Sequence, residues 1–281
     1  MGVVNASPDS FSDGGEHGAD ARVAQAVALA EDGAVLLDVG GQSAITGVPE
    51  ITVDEELARV LPVVEGIVAA RPDVLISVDT YRPEVVAAVL AAGAGLINDV
   101  SGLLYPEVAG LCAEAGAGLV LMHTRARPKE RRADPALYDD VVADVVDFLG
   151  TKLDEAVALG VPAEGIVLDP GPDFAKTPAQ TVAVLRSIGR VRTLGRPVLL
   201  ALSRKDFVGA ITWRQPRQRL AGTLAAIGHL THDDPTGWIL RVHDVAATAD
   251  YLKVTDVLAE RTDIPPDLEL PMDLRREKPR P

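Results

Sequence analysis

The chain of 281 residues contains a single cysteine, Cys112, which excludes an internal disulfide framework and a cysteine-rich metal site. Cys112 lies in an alanine-rich stretch, where we expect it to be a small buried apolar residue. Because disulfides belong to oxidising compartments, their exclusion here favours a reducing one. We therefore expect a cytoplasmic protein.

Basic residues are in the minority, since 27 Lys and Arg face 41 Asp and Glu, for a net charge of −14 at pH 7. This charge disfavours nonspecific binding to nucleic acid or to an anionic membrane, so we expect neither partner. No apolar run reaches the roughly 18 residues of a membrane span, and no signal-like segment opens the chain. Aromatic residues make up only 4% of a chain that is 47% hydrophobic, which predicts an aliphatic core.

Eight apolar strand-like runs are present, each followed by an amphipathic stretch. Strict alternation of this kind indicates a parallel α/β architecture, and eight units favour a closed (β/α)8 TIM barrel over a doubly wound open sheet. We expect one barrel domain over residues 1–264 and a flexible tail over residues 265–281. The first strand would begin at residue 2 with nothing ahead of it to cover the barrel floor, which suggests a shortened chain. The predicted strands are 2–5, 34–39, 73–79, 95–99, 118–123, 165–169, 197–203 and 237–243.

Glycines and aspartates mark the ends of the predicted helices. Glycines after helices favour left-handed caps, and Asp54 and Asp134 stand at plausible N-terminal caps. The predicted helices are 20–32, 52–70, 82–92, 105–115, 136–159, 177–188, 217–231 and 244–261, and the glycines are Gly33, Gly93, Gly116 and Gly160.

Polar residues stand at the ends of the predicted strands, and in a barrel of this type the strand ends surround one mouth, where active sites lie. We therefore expect one pocket with two or three carboxylates, two carboxamides, a lysine, two arginines and two imidazoles. The runs end at Asn5, Asp38, Asp79, Asn98, His123, Asp169, Ser203 to Lys205, and Arg241 with His243.

The residue types at this mouth indicate a ligand with both a donor-rich edge and an anionic group. Asp79, Asn98 and Asp169 would form an acceptor-rich wall that suits a heterocycle with several N–H donors, although strand-end aspartates also cap helices. Lys205 would donate to a ligand carbonyl or ring nitrogen. Arg241 and His243 lie two apart on a strand and point to the same side, where they would stack on a flat ring or hold phosphate.

Seven segments together resemble the dihydropteroate synthase family of folate biosynthesis, from Gly2 to about Tyr251. The opening segment NASPDSFSDGG, residues 5–15, is similar to the family's opening motif. The others are SVDT at 77–80, INDVSG at 97–102, LMH at 121–123, LDPG at 168–171, SRKDFVG at 203–209 and RVHDV at 241–245.

The resemblance implies a TIM barrel, usually dimeric, that condenses 6-hydroxymethyl-7,8-dihydropterin diphosphate with 4-aminobenzoate. Diphosphate would leave with the help of Mg²⁺ near Asn5, and no covalent enzyme intermediate would be needed. The implied substrate contacts are Asn5, Asp79, Asn98, Met122, Asp169, Phe174, Ser203, Lys205, Arg241 and His243. The implied catalytic residues are Asp79, Asp169, Lys205, Arg241 and His243.

The sequence departs from the family pattern on the acceptor side. The second loop reads GGQSAITG, residues 40–47, where the family usually has GGESTRPG, so Ala44 and Ile45 donate nothing from their side chains. Asp206 stands where the family has a small residue close to the aminobenzoate carboxylate, and it would repel that carboxylate. Asp173 and Ala175 replace glycines. We therefore expect weak binding of sulfonamides, which compete with the amine in this family.

Three interpretations follow from a complete pterin half and an altered acceptor half. The first is a working dihydropteroate synthase. The second is a paralogue that binds the pterin diphosphate and uses another amine, or none. The third is a related pterin-binding methyltransferase-type barrel, which the SFSDGG and SRK segments disfavour.

Overall fold

The computed structural model describes residues 1–6, 18–42 and 49–275. Its described residues form eight parallel strands whose order around the sheet follows the chain order. The strands are β1 (Gly2–Asn5), β2 (Leu36–Gly40), β3 (Leu75–Asp79), β4 (Leu96–Asp99), β5 (Gly118–Met122), β6 (Ile166–Asp169), β7 (Val198–Leu200) and β8 (Trp238–Leu240).

The sheet closes on itself between its last and first strands. Gly2 pairs in parallel with Val242, the Val3 amide donates to the Val242 carbonyl (3.1 Å), and the Val242 amide donates to the Met1 carbonyl (2.9 Å). The predicted TIM barrel is therefore confirmed, and the open doubly wound sheet is excluded.

Helices follow the strands, and three of those described begin at a side-chain cap. Thr52 accepts from the Glu55 amide and opens its helix with a capping box, and Asp140 accepts from two amides at the next long helix. The described α-helices are α1 (Ala19–Glu31), α2 (Val53–Ala70), α3 (Pro83–Ala91), α4 (Glu107–Ala115), α5 (Val141–Ala158), α6 (Pro178–Arg186), α7 (Ile188–Arg192), α8 (Asp206–Thr212), α9 (Leu220–Thr231) and α10 (Val245–Leu258).

The cap predictions were right for the glycines and wrong for the aspartates. Gly33, Gly93, Gly116 and Gly160 all have positive φ. Thr52 and Asp140 are the caps of α2 and α5, whereas Asp54 lies in the first turn of α2. Asp134 accepts from the Ala136 amide in a separate turn before α5, so the helix predicted from residue 136 begins only at Val141.

Two apolar layers build the barrel. The larger lies between the strands and the helices and includes Cys112, which is fully buried as predicted; burial raises the pKa of its thiol to about 12. The smaller fills the barrel interior with Leu36, Leu96, Val120, Val167, Leu199 and Ala201. No helix within the described ranges has the length and apolar character needed to cross a membrane.

The tail predicted over residues 265–281 is described only to Arg275. Its described residues are exposed, and the last barrel helix, α10, ends at Leu258, ahead of the predicted boundary at residue 264. The flexibility of this tail stays a prediction.

Candidate active site

A cavity of about 170 Å³ opens at the C-terminal ends of the strands. Side chains alternate between the two faces of each strand. Residues two or four positions from a member of the interior apolar layer therefore also point into the barrel. Six of the ten predicted substrate contacts line this cavity. Phe174 packs against one of them, Lys205, and the other three, Asn98, Met122 and Asp169, are almost completely buried in the barrel wall. The lining residues are Val3, Asn5, Gly40, Gln42, Asp79, Ala201, Ser203, Lys205, Arg241 and His243.

Arg241 lies at the centre of the site and bridges two carboxylates. Its Nε donates to Asp38 Oδ2 at 2.7 Å, and an Nη donates to Asp79 Oδ2 at 3.2 Å. Asp38 is fully buried and also accepts from the Ser77 hydroxyl (2.6 Å) and the Asn98 amide (3.2 Å). Asp38 therefore organises the site, although the sequence analysis named it only as a strand end and not as a site residue.

Asn98 presents an unused acceptor to the barrel interior. It pairs in register with Asp79, and its Nδ2 is committed to Asp38. Its buried Oδ1 has no hydrogen-bond partner among the described residues. A buried amide oxygen left unpaired is costly, so this atom is well placed to accept from a bound N–H donor.

The two aspartates of the predicted wall resist ionisation. Burial raises the pKa of Asp79 to about 7, because it outweighs the opposing effect of Arg241. Burial also raises the pKa of Asp169, whose Oδ1 accepts from the Gly171 amide at 2.7 Å. Asp169 pairs with Met122 across β5 and β6. A ligand that donates hydrogen bonds would favour the ionised form of both carboxyl groups.

Lys205 reaches into the cavity and packs on an aromatic ring. Its ammonium lies 4.3 Å from the centre of the Phe174 ring, and burial lowers its pKa despite nearby Asp173 and Asp169. Its neighbour Arg204 instead forms an ion pair with Asp244 at 2.8 Å. The prediction of a second arginine in the pocket is therefore wrong, because the Arg204 side chain turns towards Asp244 at the start of α10.

Ser203 and His243 form a hydrogen-bonded pair in the wall of the cavity. Ser203 Oγ lies 2.9 Å from His243 Nδ1 and accepts from the His243 amide at 3.2 Å. Because Oγ already accepts from this amide, we assign its proton to the bond with Nδ1, in the tautomer in which the imidazole proton is on Nε2. Burial, with Arg204 and Arg241 nearby, lowers the pKa of His243 to about 4, so the ring is neutral at pH 7.

The second imidazole predicted at the mouth, His123, points the other way. Met122 is on the inner face of β5, so its neighbour His123 faces the helices. Its Nε2 lies 2.7 Å from Asp144, and its Nδ1 lies 2.8 Å from the buried amine of Lys176. Arg125, two residues further along the chain, is likewise held by Asp144 at 2.8 Å.

Lys176 fixes the segment that carries Phe174, a role the sequence analysis missed. Its amine donates to the carbonyls of Gly171 (3.0 Å) and Phe174 (3.1 Å) as well as to His123. Burial lowers the pKa of Lys176 to about 7. The lysine in the segment LDPGPDFAK was the available signal, but nothing in the sequence indicated that it turns inward beneath the loop.

The residues that replace glycines in this segment keep a glycine-like backbone. Asp173 has a φ of +64° and Ala175 a φ of +50°. An L-residue in this left-handed region is strained by about 1–2 kcal/mol, and an alanine side chain offers no compensating hydrogen bond.

We expect Ala175→Gly to stabilise the protein by about 1 kcal/mol, because glycine adopts positive φ without strain. In a domain of this size that corresponds to a Tm increase of about 2–4 °C, measured by calorimetry. Ala87→Gly is the matched control, since Ala87 is exposed within α3 and should lose about 1 kcal/mol instead. A Tm for Ala175→Gly at or below that of the parent would contradict the strain.

Two loops on which sequence predictions were made fall partly or wholly outside the described residues. Residues 7–17 contain most of the opening loop, and residues 43–48 contain Ala44, Ile45 and Thr46 of the second loop. Gln42 borders the second gap and accepts from the Ile51 amide at 2.9 Å.

Comparison with known proteins agrees with this geometry. Residues 1–243 match the family described as pterin binding enzyme. A dihydropteroate synthase of Synechocystis is 38% identical over 261 residues, which cover 92% of this chain and 89% of that protein. A Xanthomonas albilineans dihydropteroate synthase solved with 4-aminobenzoic acid is 44% identical, covers 92% of both chains and has a TM-score of 0.84. The same enzyme solved with 7,8-dihydropteroate gives a TM-score of 0.81, again at 44% identity and 92% coverage of both chains.

The fold and the site thus define a pterin-binding barrel enzyme. The chain belongs to the pterin-binding enzyme family and, within it, to the dihydropteroate synthases, the transferases that join a pterin-methyl group to an arylamine. The methyltransferase-type alternative is therefore set aside.

Proposed function

We propose that the cavity binds 6-hydroxymethyl-7,8-dihydropterin diphosphate and condenses it with 4-aminobenzoate, through the residues named below. The observation that carries this proposal is the unpaired buried oxygen of Asn98 beside Asp79. Together with Asp169, these acceptors match the amino and ring N–H donors of a dihydropterin. Lys205 donates to the ring carbonyl or a ring nitrogen, and Met122 packs against the ring.

Asn5, Ser203 and His243 form the side of the cavity that suits the diphosphate. The neutral His243 presents Nε2–H as a donor, because Ser203 holds its Nδ1. Arg241 adds a positive charge between the two ends of the substrate. For Arg241 to contact the pterin or the diphosphate, its bond to Asp79 at 3.2 Å would give way more readily than its bond to Asp38 at 2.7 Å.

The donor set fits a magnesium ion that arrives with the substrate. The described residues contain no group of three His, Cys, Asp or Glu side chains that could hold a metal. Mg²⁺ commonly binds through one or two protein oxygens, substrate phosphates and water, and Asn5 at the cavity wall would supply one such oxygen. When bound, the ion would neutralise charge on the departing diphosphate.

The same residues support a dissociative reaction. As the bond from the pterin methylene to the diphosphate breaks, positive charge spreads over the pterin ring. Ionised Asp79 and Asp169 stabilise that charge where it develops, and His243 and Arg241 stabilise the leaving diphosphate. The arylamine then attacks the methylene, so the enzyme supplies no covalent nucleophile.

Diphosphate release tests this function when it is measured with the pterin diphosphate in the presence and absence of 4-aminobenzoate. We expect release that depends on the amine, with 7,8-dihydropteroate formed in equal amount. Binding of the pterin diphosphate without any product would instead favour the paralogue with a different acceptor. Absence of pterin binding would overturn the site assignment itself.

The pH dependence of pterin binding tests the role of Asp79. Ionised Asp79 accepts from the ring, so affinity for 6-hydroxymethyl-7,8-dihydropterin should fall as pH is lowered through about 7, by up to about tenfold per pH unit. This ligand lacks the diphosphate, whose own titration would interfere. Asp79→Asn should bind weakly and without this dependence. An equal pH profile in the parent and the variant would contradict the assignment.

The same raised pKa has the opposite effect on the unliganded fold. A carboxyl whose folded-state pKa lies above its unfolded value favours folding at low pH, and that contribution is lost as pH rises through about 7. The pterin should therefore stabilise the protein most above this pH.

We also propose that the protein is a cytoplasmic homodimer. The buried, unpaired Cys112 fits a reducing compartment. Exposed apolar side chains that would suit a subunit contact include Ile211, Trp213, Val254 and Leu258. Light scattering after gel filtration tests the assembly, and a monomeric mass would contradict it.

A further inference from the structure

Asp173 places a fixed carboxylate beside the mouth of the cavity. Its Oδ2 accepts from the Asp206 amide at 2.5 Å and from the Phe207 amide at 3.4 Å, at the first residues of α8. Its Oδ1 accepts from the Thr181 hydroxyl at 3.2 Å, and the Asp173 backbone amide donates to the Thr181 hydroxyl oxygen at 3.0 Å. These bonds hold the carboxylate in place in spite of its positive φ.

Asp173 adjoins the contact between Phe174 and Lys205, where the proposed function leaves room for the arylamine. Phe174 follows Asp173 directly, and its ring packs under the Lys205 ammonium at 4.3 Å. The ring and the lysine stem offer a flat apolar edge to an arylamine that approaches the pterin methylene. Among the charged groups near Lys205, Asp173 does most to favour the protonated lysine and so to raise its pKa against the effect of burial.

Asp206 contributes a second carboxylate at this edge, but a weaker one. It forms an ion pair with Arg219 at 3.0 Å, and its side chain is 78% exposed. Charge at such a position is screened by solvent and by its partner. The sequence predicts that Asp206 repels the acceptor, but its exposure and its pairing make it the weaker of the two charges.

We propose that Asp173 determines acceptor specificity by fixing a carboxylate beside Phe174 and Lys205, at this edge of the mouth. An acceptor that carries its own carboxylate meets this charge, so the site disfavours 4-aminobenzoate relative to an uncharged arylamine such as 4-aminobenzamide. This inference rests on the proposed function, since it concerns the amine of the same reaction.

Two substitutions at position 173 separate charge from structure. Asp173→Asn keeps the acceptor oxygen and removes the charge, and Asp173→Gly removes both while suiting the positive φ. For each, kcat/KM is measured with 4-aminobenzoate and with 4-aminobenzamide. We expect both variants to raise kcat/KM for 4-aminobenzoate about tenfold through KM, with the values for the amide and the KM for the pterin diphosphate unchanged.

Two control variants bound the effect. Asp140→Asn alters the equivalent capping carboxylate of α5, which bonds the Val142 and Ala143 amides, and should leave the acceptor ratio unchanged. Asp206→Ser should change it by about twofold at most, because that carboxylate is exposed and paired. Unchanged KM for 4-aminobenzoate in both Asp173 variants would overturn the proposal and reduce Asp173 to a helix cap.

A binding measurement separates failure of this inference from failure of the proposed function. Calorimetric titration compares 7,8-dihydropteroate with its uncharged carboxamide and needs no turnover. A parent that prefers the carboxamide, with that preference lost in Asp173→Asn, supports the inference even if no amine is turned over. Equal affinities in the parent overturn it even if the enzyme is a synthase.

Discussion

Replacement of Asp38 with alanine is expected to destabilise the barrel and to abolish productive pterin binding. Asp38 is fully buried and accepts hydrogen bonds from Arg241, Ser77 and Asn98. Its removal leaves a guanidinium partly unpaired in the barrel interior, and breaking a buried ion pair in this way costs about 3–5 kcal/mol. Urea unfolding measures the loss of stability.

The effect of Asp38 on binding follows from the two groups that it orients. Without it, Arg241 and the Asn98 amide lose their fixed positions, and a misplacement of about 1 Å at a reacting centre costs about 100-fold. We expect at least that loss in kcat/KM. If Asp38→Ala does not fold, Asp38→Asn keeps the volume and one acceptor and still removes the charge that holds Arg241.

Asp99→Ala provides the matched control for Asp38→Ala. Asp99 is also a fully buried strand aspartate, but it accepts from Ser101 and the Leu103 amide in a local turn. Its loss should lower stability without a comparable loss of pterin affinity. Similar affinity losses in both variants would show that binding responds to general destabilisation and not to Asp38 itself.

The barrel was predictable because each of its strands is a separate apolar run. Runs such as LLDVG in β2 suit strands buried on both faces, and their regular alternation with helices leaves few architectures. Helix boundaries were less predictable. The seven-residue helix α8 was missed because its first four residues belong to the SRKDFVG segment, which we interpreted only as part of the site.

Orientation across the strands explains most errors at the site. A strand-end position predicts that a side chain lies near the mouth, but the two faces of the wall must be told apart. Adjacent residues Met122 and His123 end on opposite faces, and so do Asn98 and Asp99. Val120 lies in the interior layer of the barrel, so alternation along β5 places Met122 inside and His123 outside. The sequence contains this pattern, but we gave more weight to the chemistry of histidine.

Long-range partners could not be read from the chain. Arg241 and Asp38 are separated by 203 positions, and only barrel closure brings them to 2.7 Å. The same holds for Asp173. The sequence shows only that an aspartate replaces a glycine there, and the position of its carboxylate follows from the hydrogen bond that it accepts from the Asp206 amide. The motifs show that the acceptor side of this chain differs from the family pattern. Only the long-range contacts show where the changed charges lie.

Replacement of Lys205 with methionine is expected to weaken pterin binding by at least about 100-fold, since a ligand group left unpaired in a buried site loses that much or more. Methionine is one atom shorter than lysine: its apolar stem stays beside Phe174, whereas the ammonium, which lies 4.3 Å from the ring centre, is lost. The change therefore removes the donor to the pterin and leaves the apolar contact. Calorimetric titration with the pterin diphosphate measures the affinity.

Arg204→Met is the control for Lys205→Met, because the two residues are adjacent and both are basic. Arg204 is bonded to Asp244 outside the cavity, at 2.8 Å, so its replacement should change pterin affinity by no more than a few-fold. Lys205→Met should also lose most of the charge interaction with Asp169, which raises the pKa of that carboxyl further. Unchanged affinity in Lys205→Met would remove the lysine from the pterin site and confine its role to the acceptor edge.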